Sequence, residues 1–260
     1  QDASVEDPPV FGVDDKPAAM VDEYGRWLAG ALGNGFVWRK TDRTASTERG
    51  SQALELQLMG SHYNRAGDGT HVNVVVSVRD ARLDRWRAAN PGLAHRRDDL
   101  LFSSHLINLV GASSDVELFG RLRELGEGFL APAELVPVLR DLVLPPLASL
   151  SEPQLAAEDF PTSWIIDPVS LVEWAVALDA RAAARTLVVR YLEQRPQVVP
   201  DVEGGRQAVE RGEPAGEVEH PSHVLGRALA ELAVFEADEP LPVAAPGSSS
   251  PSLLRRLFRR

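Results

Sequence analysis

At 260 residues, with 44% apolar and 25% charged residues, the chain has ordinary globular composition and enough length for one large domain or two modest ones. It contains no cysteine, which excludes a disulfide framework, a thiolate metal site and a cysteine nucleophile together. The formal net charge of −11 argues against nucleic acid as a partner, because phosphate neutralisation needs a basic surface.

No run reaches the ~18–20 apolar residues that a membrane span requires. Gln1 to Pro9 lack the basic and apolar blocks of a signal peptide, so a cytoplasmic protein is expected. Residues 1–16 hold five acids, one Lys and two Pro and read as a disordered acidic arm.

Residues 17–150 are expected to form an α+β domain, a helix plus a small antiparallel sheet. Pro17 to Leu32 carries helical spacing through Met20, Tyr24, Trp27, Leu28 and Ala31, and Gly33-Asn34-Gly35 supplies a left-handed stop. Phe36 to Arg39 reads as a strand. After a Thr/Ser-rich turn, Ala53 to Leu58 alternates as a half-buried strand does. Asn64 to Gly69 signals a hairpin loop, and Thr70 to Val78 is the return strand, with Val74-Val75-Val76 suggesting a central place in the sheet. Arg79 to Asn90 is charged, with Leu83 and Trp86 on one side. Leu100 to Val110 fits strand and buried helix equally. From Ser113 a helical pattern resumes, with Ser114 and Glu117 spaced as a capping box, and continues after Gly126-Glu127-Gly128 as Ala133 to Leu142.

A helical segment is expected over 160–237. Asp167-Pro168 is an N-cap followed by a first-turn Pro, ahead of an apolar stripe of Leu171, Val172, Trp174, Ala175 and Leu178. Asp179 is placed to cap a further helix, Ala180 to Gln194. Residues 200–221, rich in Gly, Glu and Pro, read as a mobile acidic loop, and Ser222 to Phe235 as a last amphipathic helix. Residues 238–252 form a Pro/Ser-rich linker that carries the last eight residues.

Beyond that linker lies a basic amphipathic peptide, residues 253–260. At about 100° per residue, Leu253, Leu254, Leu257 and Phe258 share one half of a helical wheel, and Arg255, Arg256, Arg259 and Arg260 share the other. Such a peptide suits an anionic membrane or an acidic-rimmed apolar groove.

Other candidate chemistry is sparser. Glu217, Glu219, His220 and His223 form the densest cluster of potential metal ligands. His220 and His223 are three apart, but Pro221 is expected to set His220 outside the helix, and no third strong ligand follows. No metal or other cofactor is therefore expected, with these two His the weak candidates. His62 and His71 flank the predicted hairpin loop, where acid–base work would require a pocket. Trp38-Arg39-Lys40, with Arg43 and Arg49, is a local basic patch on an acidic protein, suited to an acidic partner or a phosphate-bearing ligand. Among residues 79–99, Arg82, Arg85, Arg87, Arg96 and Arg97 interleave with Asp80, Asp84, Asp98 and Asp99.

Within 17–150, the helix ending at Gly35-Phe36, the basic strand Trp38-Arg39-Lys40, the Gln57 strand, a Gly-bearing loop and the return strand His71 to Val76 resemble a family of small bacterial α+β domains of unknown function. The resemblance implies the fold and, by association, an accessory or immunity-type binding protein.

The leading expectation is a non-enzymatic cytoplasmic adaptor or accessory protein, docked through residues 253–260 on a membrane or a larger protein assembly. The alternatives are an immunity-like inhibitor acting through the α+β domain, and a metal- or His-dependent hydrolase. The oligomeric state is open.

Overall fold

In the computed structural model, residues 7–11, 14–60, 72–112, 132–216, 220–236 and 239–242 are described. Pro17 opens α1 (Pro17–Leu32), with the bounds its spacing predicts. The helix ends because Gly33, Asn34 and Gly35 take φ of 62°, 49° and 76°, a left-handed run that redirects the chain into β1 (Val37–Arg39). Its Val21, Tyr24, Leu28 and Leu32 are buried toward the sheet. A Cβ on Gly25 would overlap the Trp38 ring, so glycine is what lets that indole lie against the helix.

Five antiparallel strands follow in the order β1-β2-β3-β4-β5, with β2 (Thr44–Arg49), β3 (Gln52–Gly60), β4 (Val72–Asp80) and β5 (Leu100–His105). Period-2 alternation sets the inner face. Leu54, Leu56 and Leu58 pair with Val78, Val76 and Val74 and are buried, while Gln57 and Asn73 are exposed. Strand β4 is flanked on both sides, as its valine run suggests, although Val75 on the other face is only half-buried.

Strand β2 corrects the expected Thr/Ser-rich turn. Ala45 and Thr47 face inward, and Thr47 Oγ1 donates to the Asn34 carbonyl at 2.9 Å. Threonine is β-branched and packs on a pleated surface. The turns sit instead on either side of the strand, at Arg43 (φ 53°) and Gly50 (φ 63°).

Asp80 caps α2 (Ala81–Ala89) by accepting from the Arg82 amide at 2.8 Å. The ambiguous stretch 100–110 proves to be both elements, β5 and then α3 (Leu106–Ala112). The capping box at Ser114 and Glu117 and the hairpin loop 64–69 lie outside the described residues.

The helical part begins with α4 (Pro132–Pro137), a π-helical stretch (Val138–Val143) and α5 (Leu144–Ala148). It continues through α6 (Pro153–Asp159), α7 (Pro168–Ala177), α8 (Arg181–Gln194), α9 (Val199–Glu210) and α10 (Pro221–Glu231). Asp167 caps α7 as predicted, accepting from the Val169 and Ser170 amides.

Asp179 does not cap α8. It adopts φ 56° with its side chain exposed, and the Asp179 and Ala180 amides close the end of α7 on the Val176 and Ala175 carbonyls. The residue is a left-handed stop, which Asp tolerates better than most side chains. Helix α10 likewise ends before the expected Phe235, at a left-handed Ala233 with φ 49°.

The largest correction concerns the expected mobile loop 200–221, because α9 occupies Val199–Glu210. Gly204-Gly205 looked like a loop signal, yet a Cβ on Gly205 would overlap the His223 carbonyl oxygen, and one on Gly226 the Val202 carbonyl oxygen. These glycines are the surface where α9 and α10 touch backbone to backbone.

One continuous apolar core runs from Val21 through Trp174 to Leu241 and joins the sheet to the helices. Trp174, Phe160, Leu139, Leu150 and Ile165 are among its fully buried side chains. Phe11, in the stretch expected to be disordered, also packs against it. The architecture is α+β, a five-stranded antiparallel sheet followed by a helical part.

Candidate functional site

The peptide Leu253, Leu254, Arg255, Arg256, Leu257, Phe258, Arg259 and Arg260 lies outside the described residues, as do His62, His71, Glu217 and Glu219. His220 stands just before α10, where its Nδ1 accepts from the Ser222 amide at 3.3 Å and lies 3.6 Å from Asp201. The ring nitrogen acts as a helix cap. His223 sits on the next turn, against Gly204 of α9. Among the described residues no three His, Asp or Glu side chains converge in a way that would hold a metal ion.

The basic patch is mostly compensated. Asp22 accepts from Trp38 Nε1 at 2.7 Å and from Arg26 at 2.8 Å, with Lys40 at 3.1 Å. The Trp38 hydrogen bond, helped by Lys40 and Arg26, holds the Asp22 carboxyl below the usual carboxylate range. Arg39 pairs with Glu55 at 2.9 Å.

What the fold does bring together is a set of buried charges where the sheet meets the helices. Asp80, at the end of β4, is fully buried. It accepts from Gln52 Nε2 at 3.0 Å, Trp174 Nε1 at 2.9 Å and the Arg82 side chain at 2.6–3.1 Å. Burial opposes its charge, but Arg82, Gln52 and Trp174 outweigh that penalty and keep its carboxyl below the usual range. Gln52 also donates to the Leu150 carbonyl at 2.6 Å, so one carboxylate ties β3, β4, α2, α7 and the turn after α5.

A second joint centres on Glu173, fully buried in α7. Arg87 of α2 reaches it through Nε at 2.8 Å and a terminal nitrogen at 2.6 Å. The rest of that guanidinium is spent on Ser170 at 3.0 Å and on the Asp98 and Leu100 carbonyls at 2.6 and 3.2 Å. The other Glu173 oxygen accepts from the His95 amide at 2.7 Å and lies 3.3 Å from its Nδ1, while His95 Nε2 is 4.0 Å from Glu231 of α10. The contact with Glu173 raises the His95 pKa against the opposing effect of burial, and Glu231 adds to the rise.

Both carboxylates are surrounded by donors from separate elements. Such groups hold charge in place and are poor proton carriers, since releasing a proton acceptor here breaks several bonds at once. The sequence shows Asp80, Arg82 and Arg87 only as interleaved charges and gives no role to Glu173, although a signal is present. Glu173 interrupts the apolar stripe of α7, and a charge inside such a stripe is buried with a partner.

Next to the Asp80 joint is a cavity of about 270 Å³ between the β2–β3 turn, Val78 and α5. Leu54, Val78 and Leu147 form its apolar wall and Arg49 and Arg82 its cationic rim. A smaller recess of about 140 Å³ lies between β5 and the start of α7. Arg96, which pairs with Asp98 at 3.0 Å and Asp167 at 3.4 Å, lies on its edge.

No family model, no curated protein and no solved structure matches this chain. The roles of these residues therefore rest on their geometry alone.

Proposed function

We propose that this chain is a non-enzymatic adaptor or accessory protein, recruited from the cytoplasm to an anionic membrane or a larger protein assembly through residues 253–260. The observation that carries the reading is the complete separation of four apolar from four arginine side chains in that peptide, behind the Pro/Ser-rich stretch 238–252. Each Arg at an anionic leaflet contributes roughly 1 kcal/mol, and the Leu and Phe side chains add apolar burial, so binding is reversible and salt-sensitive. Residues 239–242 of the expected linker pack on the body through Glu239 and Leu241, which leaves ten residues, 243–252. As a flexible chain they span roughly 16–19 Å, beyond the ~8 Å screening length, so the acidic body does not prevent docking. The body supports the reading through its buried carboxylates Asp80 and Glu173, which serve as joints between elements. No helix among the described residues is long and apolar enough to cross a membrane.

Vesicle flotation tests the proposal. The full chain should float with anionic liposomes at low salt, lose binding at high salt, and lose it entirely when truncated after Gly247. Equal flotation of the truncated chain would remove the peptide from the mechanism. If neither chain floats, a pull-down with the peptide alone decides whether a protein groove is its target.

A further inference from the structure

The cavity beside the Asp80 joint has the walls of a small-ligand site, and its argument is independent of the peptide 253–260. Its volume of about 270 Å³ leaves room for a small organic molecule. Leu54, Val78 and Leu147 are mostly covered by the core, and the surface they leave uncovered forms an apolar floor. The two cations at the rim are not equivalent. Arg82 is already shared between Asp80 and the Ser151 carbonyl. Arg49 is exposed, and its side chain makes no hydrogen bond or ion pair with a described residue. One guanidinium with no partner among the described residues therefore lies beside one apolar wall, next to the Gly50-Ser51 turn that sets their spacing.

We propose that this cavity binds a small organic monocarboxylate, its carboxylate on the Arg49 guanidinium and its hydrocarbon part over Leu54, Val78 and Leu147. A planar guanidinium forks onto a carboxylate with two parallel hydrogen bonds. A multiply charged polar anion matches the site less well, because Arg82 is half neutralised and more of the lining is apolar than polar, Ser51, Gln52 and Ser151 notwithstanding.

The test is an NMR titration of the full-length, ¹⁵N-labelled chain with hexanoate, following the amides of Gly50, Ser51 and Gln52, with 1-hexanol, hexylamine and inorganic phosphate in parallel. Hexanoate should shift these amides saturably, and each of the other three compounds should bind more weakly. Arg49→Gln should weaken hexanoate about tenfold, the worth of one charge-assisted contact. Ala148→Phe, on an exposed wall position, should close the cavity and abolish the shifts. Shifts that stay linear with concentration, hexanol or phosphate binding as well as hexanoate, or hexanoate affinity unchanged in both variants would each overturn the proposal.

Discussion

His95 faces two carboxylates, Glu173 of α7 at 3.3 Å and Glu231 of α10 at 4.0 Å, while Arg87 of α2 neutralises the far side of Glu173. Arg227 lies 3.7 Å from Glu231 and tempers that contact. The folded state thus raises the His95 pKa above its ordinary value of about 6.5. A raised histidine contributes stability that is complete below the unfolded value and is lost as pH climbs through the folded one. Asp22 and Asp80 have lowered values and titrate well below this window, so they do not mask it. The urea midpoint of the native chain should therefore fall between pH 6 and pH 8, and that of His95→Gln should fall less. Parallel pH profiles for the two proteins would rule out this role for His95.

At the scale of elements, the same residue type acts in opposite ways. Alanine exceeds glycine in a helix interior by about 1 kcal/mol when nothing else changes. Gly30 of α1 has open space where a Cβ would go, so Gly30→Ala should stabilise by about that amount. Gly226 of α10 meets the Val202 carbonyl of α9 at that position, so Gly226→Ala should instead destabilise by ~1–3 kcal/mol through overpacking. Chemical denaturation of the two variants gives the signs directly. Two stabilising results would mean that α9 and α10 are not in backbone contact. The correction at residues 200–221 has this origin, since the approach of a neighbouring helix is invisible in a window of a dozen residues.

Across the whole molecule, one apolar core and two polar joints bind sheet and helices. Arg190 of α8 and Arg195, its C-cap, extend the same pattern, donating to carbonyls at the end of α6 and just beyond it. Thermal unfolding of the body should therefore be a single transition, with tryptophan fluorescence and far-UV circular dichroism coincident. Glu173→Gln removes the buried partner of Arg87 and leaves it only the half-exposed Asp98 carboxylate at 3.2 Å, which costs about 3–5 kcal/mol. Both probes should move down together by the same interval. Two separated transitions, or a shift confined to one probe, would show that the joint does not couple the halves.

Local pattern was enough for α1, β3, β4 and α7, because helix period, strand alternation, a left-handed Gly-Asn-Gly stop and an Asp-Pro cap are encoded within a few residues. The same holds for the separation of faces in residues 253–260, which is a property of order along the chain. Tertiary structure alone decided the rest. It turned Gly204-Gly205 from a loop signal into a helix contact, and the interleaved Arg and Asp of 79–99 into joints with Gln52, Glu173 and Trp174. It also set Arg49 beside Leu147, nearly a hundred residues away in sequence. A buried charge or a cavity is defined by which distant surfaces meet, and burial strengthens electrostatic attraction only once they have met.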